Sequence, residues 1–396
     1  MTKSQSLESV GYEELADFPE HNQALQAFET YFGGKWLTDH CQGCDSDYFK
    51  KPAQANDSCG AFDCVGTYQF LEAKPPRNNY LSGLQIGNQF QDFFTHRGFE
   101  PVAPIAIAGH QGAQVFTGTA GQIFDGPIFH ETAYDDTKYF VAQPVIRMQK
   151  SEHDGFLRSF VNTSVEQLGT TPAEHLNSIE HYFDFLSSIG LYVGDLRIKI
   201  FEDRPDWGRG EFRSAVIGFY YDGLEVGVAN YLTSIPQANR ASLTMSDVSF
   251  GLERMSWAIN KDTRFVDTIG PPMELTRQTP HDLLDAYRTV TLLLGSDISP
   301  DRQSQAGSKL KSLFLQTIPS DQPLRHDLIR YYHSWWSNFT RLGNDVNQVT
   351  RMWEMTGMRQ LAGKLGVNVL ERGTPDDLIG HVIKNGIIKA KNLRGA

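Results

Sequence analysis

All four cysteines of the 396-residue chain fall between positions 41 and 64, as Cys41-x2-Cys44 and Cys59-x4-Cys64, with Gly43 and Gly60 beside them. Two short-spaced pairs separated by a loop suit tetrahedral thiolate ligation of Zn2+, and the glycines suit the tight turns that ligation needs. Four thiolates close the coordination sphere, so the expected zinc is structural and takes no part in chemistry. Two disulfides are the competing reading. The opening MTKSQSLESVGYEEL lacks the basic, apolar and small-residue layout of a secretion signal, which weighs against them.

Charged residues placed for anion chemistry lie further on. Residues 245–260 read MSDVSFGLERMSWAIN, and the apolar positions Leu252, Met255, Trp257 and Ala258 recur at helical spacing. This sets Arg254 in a first helical turn, where a guanidinium and free backbone N–H groups face an anion together. Asp247 lies just upstream. Taken alone, the stretch reads more readily as a surface helix whose Arg254 pairs with solvent or Glu253. Residues 138–164 alternate as two strands around a polar loop at about 149–154. Arg147 ends the first strand and Arg158 begins the second, so a hairpin brings both guanidiniums to one end of a sheet, where forked donors match phosphate oxygens. An ordinary hairpin with surface arginines gives the same pattern.

The elements that must position these groups are legible in outline. A helix is expected from about His21 to the Gly33-Gly34 stop, and another over 77–98 with Gly98 as its end. PVAPIAIAG is expected as a short strand, and residues 173–190 as a helix. LRIKIFED reads as a strand, and two more turn at Asp222-Gly223, a strong hairpin dipeptide. This mixture predicts an α+β domain with a mainly antiparallel sheet flanked by helices. From about Thr279 the chain turns helical, ending with Thr374 as an N-cap before two acids. Three parts are expected: 1–75, an N-terminal helix and four-cysteine zinc module; 76–274, the sheet domain; and 275–396, a helical domain. No apolar run approaches the roughly 20 residues that span a bilayer, so no membrane partner is expected and the cytoplasm is the expected compartment. The net charge of −11 excludes a chain coated in nucleic acid, but it is uneven: residues 275–396 hold 16 Lys+Arg against 11 Asp+Glu, a balance of +5, leaving −16 elsewhere. A bound polyanion is expected on the last third.

Several separated stretches, in this order and spacing, resemble the archaeal type of alanyl-tRNA synthetase. HCQGCDSDYFKKPAQANDSCGAFDCVGTYQF is similar to the zinc-bearing segment of those enzymes, down to Tyr68 and Phe70 after the last cysteine. QPVIR resembles the start of class II motif 2, and DWGRGEFRSAVIGFYYDGLEV resembles the family's Trp-led glycine stretch with its GLEV strand. SDVSFGLERM resembles motif 3, and LLDAYRTVTLLLGSDISPD resembles the start of the helical tRNA-recognition domain. The fold this resemblance implies is a class II synthetase-like antiparallel sheet. The implied activity is ATP-dependent formation of an aminoacyl adenylate with Mg2+, followed by transfer to an acceptor.

Carried over by position, the resemblance implies that Arg147 holds the α-phosphate of ATP and the amino acid carboxylate, and that Arg254 holds the γ-phosphate. Arg158 joins them as an ATP-binding residue. Asp247 takes the substrate ammonium, while Trp207 and Val228 border the amino acid pocket. Read without the resemblance, Asp247 is an acid at a helix start and Trp207 a core aromatic. Such chemistry asks for no protein nucleophile, because the substrate carboxylate attacks and magnesium with arginine neutralises the leaving pyrophosphate.

Departures from the family are equally specific. Where the family carries an Asn-Ala-Gly-Pro-Cys-x-Glu run, this chain has Phe212 to Gly218, FRSAVIG; Val228 stands where relatives carry Asn or Thr; and VNTSVEQLG replaces an aromatic, methionine-rich run. A changed small pocket favours alanine or a related small amino acid. No second set of zinc ligands marks an editing domain, since His326 and His333 have the wrong spacing, so a stand-alone core is expected. The favoured acceptor is tRNA. Rivals are a biosynthetic paralogue that loads a small molecule or carrier protein, and a catalytically silent paralogue that binds tRNA. A zinc-dependent hydrolase is a poor reading of a four-thiolate site.

Overall fold

The computed structural model describes residues 19–365 and residue 377, apart from residues 55–56, 77, 109–114, 131, 149–154, 205–211, 236–242, 269–278, 301–303, 315 and 318–321. One nine-stranded sheet organises them, in the order β1-β2-β6-β7-β8-β9-β5-β4-β3. The strands are β1 (Leu37–Cys41), β2 (Ser46–Lys50), β3 (Glu100–Pro101), β4 (Tyr139–Ile146), β5 (Ser159–Leu168), β6 (Arg197–Asp203), β7 (Arg213–Tyr221), β8 (Leu224–Ile235) and β9 (Leu243–Gly251). Every pairing is antiparallel except β3 with β4. This is the antiparallel sheet flanked by helices that the sequence predicts.

Local chemistry sets the elements. Between β7 and β8, Asp222 and Gly223 both take positive φ (39° and 100°), the two-residue turn whose twist matches a hairpin. Helix α1 (Pro19–Gly33) precedes the cysteines, and α2 (Gly83–His96) opens with a reciprocal Ser82–Gln85 capping box. Helix α3 (Pro172–Ile189) opens on a Thr171–Glu174 box with Pro172 in its first turn. Of the stretch PVAPIAIAG only Pro101 joins β3, which begins at Glu100; Pro101 and Pro104 offer no N–H for a ladder. The hairpin β1–β2 carries charges on short strands and gave no alternating apolar signal.

Alternation divides the central strands between two faces. On one, Val165, Val248, Phe250 and Tyr231 pack beneath the helices, with Tyr182 of α3 stacked on Phe250 at 4.2 Å. On the other lies a cavity beside α4 (Leu252–Asn260). Helices α5 (His281–Gly295), α6 (Gln305–Phe314), α7 (Gln322–Trp336) and α8 (Val346–Leu365) follow. One contiguous core draws on residues from Ala24 to Trp353, on either side of both expected domain borders. The N-cap expected at Thr374 falls outside the described residues. Among the described residues no helix is long and apolar enough to cross a membrane.

Candidate active site

The cavity, about 210 Å3, has a polar floor built into the middle of the sheet. Register explains it: Glu166, Asp247 and Asn230 form one cross-strand row on β5, β9 and β8, and Ser164, Ser249 and Val228 form the next. Asn162 stands opposite Gly251 in the row beyond. Residues two apart on a strand share a face, so these rows expose one polar patch while Val165 and Val248 turn to the core. Buried polar side chains at the centre of a sheet cost stability unless satisfied, and their concentration here marks a ligand floor.

One end of the floor is acidic. Asp247, 5% exposed, is held by hydroxyls: Ser249 donates to Oδ1 through a close contact, Ser164 lies 3.1 Å from Oδ1, and Thr119 donates to Oδ2 at 3.3 Å. Burial pushes its pKa up, and the hydroxyls pull against that by solvating the carboxylate. Glu166, fully buried, sits directly across from it with Oε1 2.6 Å from Ser164 Oγ. Burial and then the neighbouring Asp247 hold the Glu166 carboxyl well above the usual range. Nothing in the sequence singled out Glu166; its position two residues past Ser164, opposite an aspartate, becomes visible only with the register.

The other end is basic. Arg147, one residue beyond β4, donates from Nε to Gly118 O at 3.0 Å and lies over the Phe160 ring at 5.3 Å, leaving its two terminal nitrogens to the cavity. Although open to solvent at the mouth, the guanidinium is ringed by protein. That enclosure, and then Arg254 nearby, lower its pKa, while Glu225 and Asp247 raise it. Arg254 stands in the first turn of α4, as the spacing predicted, and its N-cap Gly251 has no capping side chain. Its Nε donates to Gly155 O at 3.2 Å, and its Nη1 donates to Glu225 O at 2.9 Å and Glu225 Oε2 at 3.1 Å. Two guanidiniums anchored largely by backbone carbonyls keep most of their charge for a guest, so this end suits a polyanion.

Support for Arg254 comes from two directions. Tyr68, just beyond the last cysteine, accepts the Gly155 N–H at 2.8 Å and meets Trp257 of α4 edge-on at 4.8 Å. A Cβ on residue 155 would stand 2.5 Å from that phenol oxygen, which is why glycine serves there. On the far side, Glu253 accepts the Val161 N–H with both oxygens at 3.1 Å and pairs closely with Arg288 of α5. The Arg288 guanidinium is in turn stacked over Trp336 at 4.3 Å.

Arg158 does not reach the cavity, contrary to the expectation of an ATP contact. The hairpin does set it opposite Arg147, whose N–H donates to Arg158 O at 2.8 Å. Its side chain, however, is buried against Asp285 of α5, with Nη1 2.8 Å from Oδ2 and its own N–H 3.0 Å from Oδ1. A buried acid on a neighbouring helix claimed the charge, so Arg158 joins strand to helix. Trp207 lies outside the described residues. Asp247, Val228, Arg147 and Arg254 all line the one cavity. Asp247 is inside a strand and so is not a helix-start acid.

The four cysteines come together apart from this cavity. Their sulfurs all lie within 4.8 Å of one another, unpaired as disulfides, with Cys44 and Cys59 sulfurs 3.8 Å apart. Tetrahedral zinc with bonds of about 2.3 Å sets its sulfurs about 3.8 Å apart, so the cluster is compatible with the metal. Burial and then repulsion from sulfur neighbours push the Cys64 thiol up, and burial takes Cys59 to about 11; a divalent cation relieves both. Lys199 of β6 donates to Cys44 Sγ at 3.3 Å, a cation suited to an anionic tetrathiolate centre.

No family model matches the chain, and no curated protein matches it. Among solved structures it is similar to the pyrrolysyl-tRNA synthetase from Desulfitobacterium hafniense, with 13% identity over 52% of this chain and 77% of that one and a TM-score of 0.36. A second pyrrolysyl-tRNA synthetase structure from that organism shows 14% identity over 50% of this chain and 73% of its own, with a TM-score of 0.35.

Proposed function

We propose that this protein uses ATP to activate a small amino acid as its aminoacyl adenylate and passes the aminoacyl group to an acceptor. The observation that carries the reading is the polarity of the cavity: two guanidiniums at one end, a buried carboxylate at the other, and a polar floor between. A zwitterionic amino acid laid along that floor puts its ammonium on Asp247 and its carboxylate towards Arg147, where the α-phosphate of ATP can meet it. The carboxylate oxygen attacks the α-phosphorus, a C(=O)O–P bond forms, and the bond to the bridging oxygen of pyrophosphate breaks. Arg147 stabilises charge on the α-phosphate, and Arg254 holds the γ-phosphate. Neither group needs to move a proton.

Magnesium would supply further neutralisation of the phosphates, and the carboxylate that would hold it at that end is Glu225, already turned to Arg254. Zinc would be held by Cys41, Cys44, Cys59 and Cys64 and would have a structural role. Val228, in the row beside Ser249, narrows the floor near the amino acid. Alanine is one member of the class this site favours and carries no special claim. The acceptor most in keeping with the +5 balance of residues 275–396 is tRNA in the cytoplasm. The test is amino-acid-dependent exchange of labelled pyrophosphate into ATP across the twenty common amino acids. Exchange with one or a few small ones is expected, and none with any would overturn the reading. Transfer of the labelled amino acid itself to bulk tRNA, read by acid precipitation, then decides the acceptor.

A further inference from the structure

The inner end of the cavity holds two carboxyl groups, and counting donors distinguishes their states. Ser164 Oγ has one proton and four acceptors in reach: Glu166 Oε1 at 2.6 Å, Ser249 Oγ at 2.9 Å, Asp247 Oδ1 at 3.1 Å and Val248 O at 3.3 Å. Ser249 and Thr119 both turn to Asp247, whereas Glu166 Oε2 is buried without a partner among the described residues. No described lysine, arginine or histidine forms an ion pair with either carboxyl. The titratable neighbours are Asp247 on β9, and Tyr139 on β4 opposite Glu166 in register, whose hydroxyl donates to Asp135. Arg147 and Tyr182 act on Asp247 only through space. Two ionised carboxylates sharing a single hydroxyl, with no cation between them, repel at short range in a dry site.

We propose that Glu166 is kept as a neutral carboxylic acid whose proton goes to Ser164, which passes its own to Asp247, so that this end carries one negative charge matched to one primary ammonium. The assignment rests on the amino acid reading of the cavity and specifies its cation site. A proton on Glu166 Oε1 turns the 2.6 Å contact into an O–H donor facing a hydroxyl oxygen, a normal length for that bond, and frees the Ser164 proton for Asp247. The raised pKa of Glu166 agrees with this direction. Glu166 is thus a positioning residue: it orients Ser164 and sets the charge of the pair without touching the substrate. A guest with a second cation beside its α-amine gains nothing here.

The experiment compares Glu166→Gln, Glu166→Leu and Asp247→Asn in the full chain, with L-alanine as the probe in pyrophosphate exchange. The neutral isostere Glu166→Gln is expected within about threefold of wild-type KM. Glu166→Leu, which cannot orient Ser164, is expected to raise KM about tenfold with little change in kcat. Asp247→Asn is expected to raise it on the order of a hundredfold. A Glu166→Gln loss as large as that of Asp247→Asn, or a wild-type KM in Glu166→Leu, overturns the proposal. A second readout is independent of turnover: the side-chain carboxyl carbon of Glu166 in 13C NMR, assigned by its absence in Glu166→Gln, is expected at its protonated position at pH 7. An ionised position overturns the proposal. Absence of exchange in the wild type would instead count against activation of alanine, with the resonance still deciding the state of Glu166.

Discussion

The two ends of the cavity are built by different means. The acidic end is part of the sheet: Asp247, Glu166 and Ser164 are fixed by cross-strand register, and hydroxyls saturate the carboxylate that lines the cavity. The basic end is assembled from the ends of elements: Arg147 beyond a strand, Arg254 at a helix start, and the carbonyls of Gly118, Gly155 and Glu225 that hold them. A strand row cannot shift without breaking its ladder, so the acidic end suits a small guest of fixed shape. Long guanidinium side chains tied by single bonds to backbone carbonyls can adjust, which suits a triphosphate that enters and leaves as pyrophosphate. Rigidity is placed where selection among amino acids occurs, and adaptability where charge is moved.

The largest expected effects separate the ends. Arg254→Ala should lower kcat/KM for exchange on the order of a thousandfold and weaken ATP binding, whereas Asp247→Asn should leave ATP binding near wild type in calorimetry. Equal loss of ATP binding in both would erase the contrast. Next is Glu253→Gln, which leaves buried Arg288 without its counter-charge. Denaturant unfolding should show a loss of about 3–5 kcal/mol, and weaker ATP binding through the neighbouring Arg254.

A pH effect follows behind the acidic end. Burial holds His175, whose ring meets Ser246 at 2.7 Å, neutral with a pKa down to about 3. A histidine depressed in the fold binds its proton more readily when unfolded, so its contribution is intact above the ordinary 6.5 and fades as pH falls towards 3. The slope is up to about 1.4 kcal/mol per pH unit. His175→Phe should flatten that acid limb in thermal melts; an unchanged limb would refute the assignment. The smallest effect is Tyr68→Phe, which removes the bond to Gly155 N and with it one brace of Arg254. About 1 kcal/mol, read as a roughly fivefold rise in KM for ATP with the amino acid KM unmoved, is expected.

What could be foreseen follows the reach of local pattern. The Asp222-Gly223 turn, the helix over residues 173–190 and the start of α4 are decided by neighbours in the chain, and each is where its spacing puts it. Arg147, Asp247 and Arg254 were singled out by local pattern and given their roles because separated motifs resembled one family in order. Arg158 was misplaced since spacing reveals a strand partner but not the acid on α5 that claims a side chain 127 positions away. Glu166 was missed for a related reason: beside Val165 and Gln167 it reads as one polar residue of a strand, and its meaning depends on which residue of β9 lies opposite. The cysteines announced their cluster, while the charged hairpin that carries them hid its strands.

The paired charges between α5 and the sheet also bear on how the chain can be divided. Arg158 with Asp285, and Glu253 with Arg288, cross the point where composition turns helical. Cleavage there, with loss of the helical part, strands one buried cation and one buried anion on the sheet side, while Asp285 and Arg288 depart with the fragment. The smallest unit that keeps Arg254 in place therefore extends at least through Gly295, and because Arg288 also packs on Trp336, proteolysis that removes α7 should weaken adenylate formation as well.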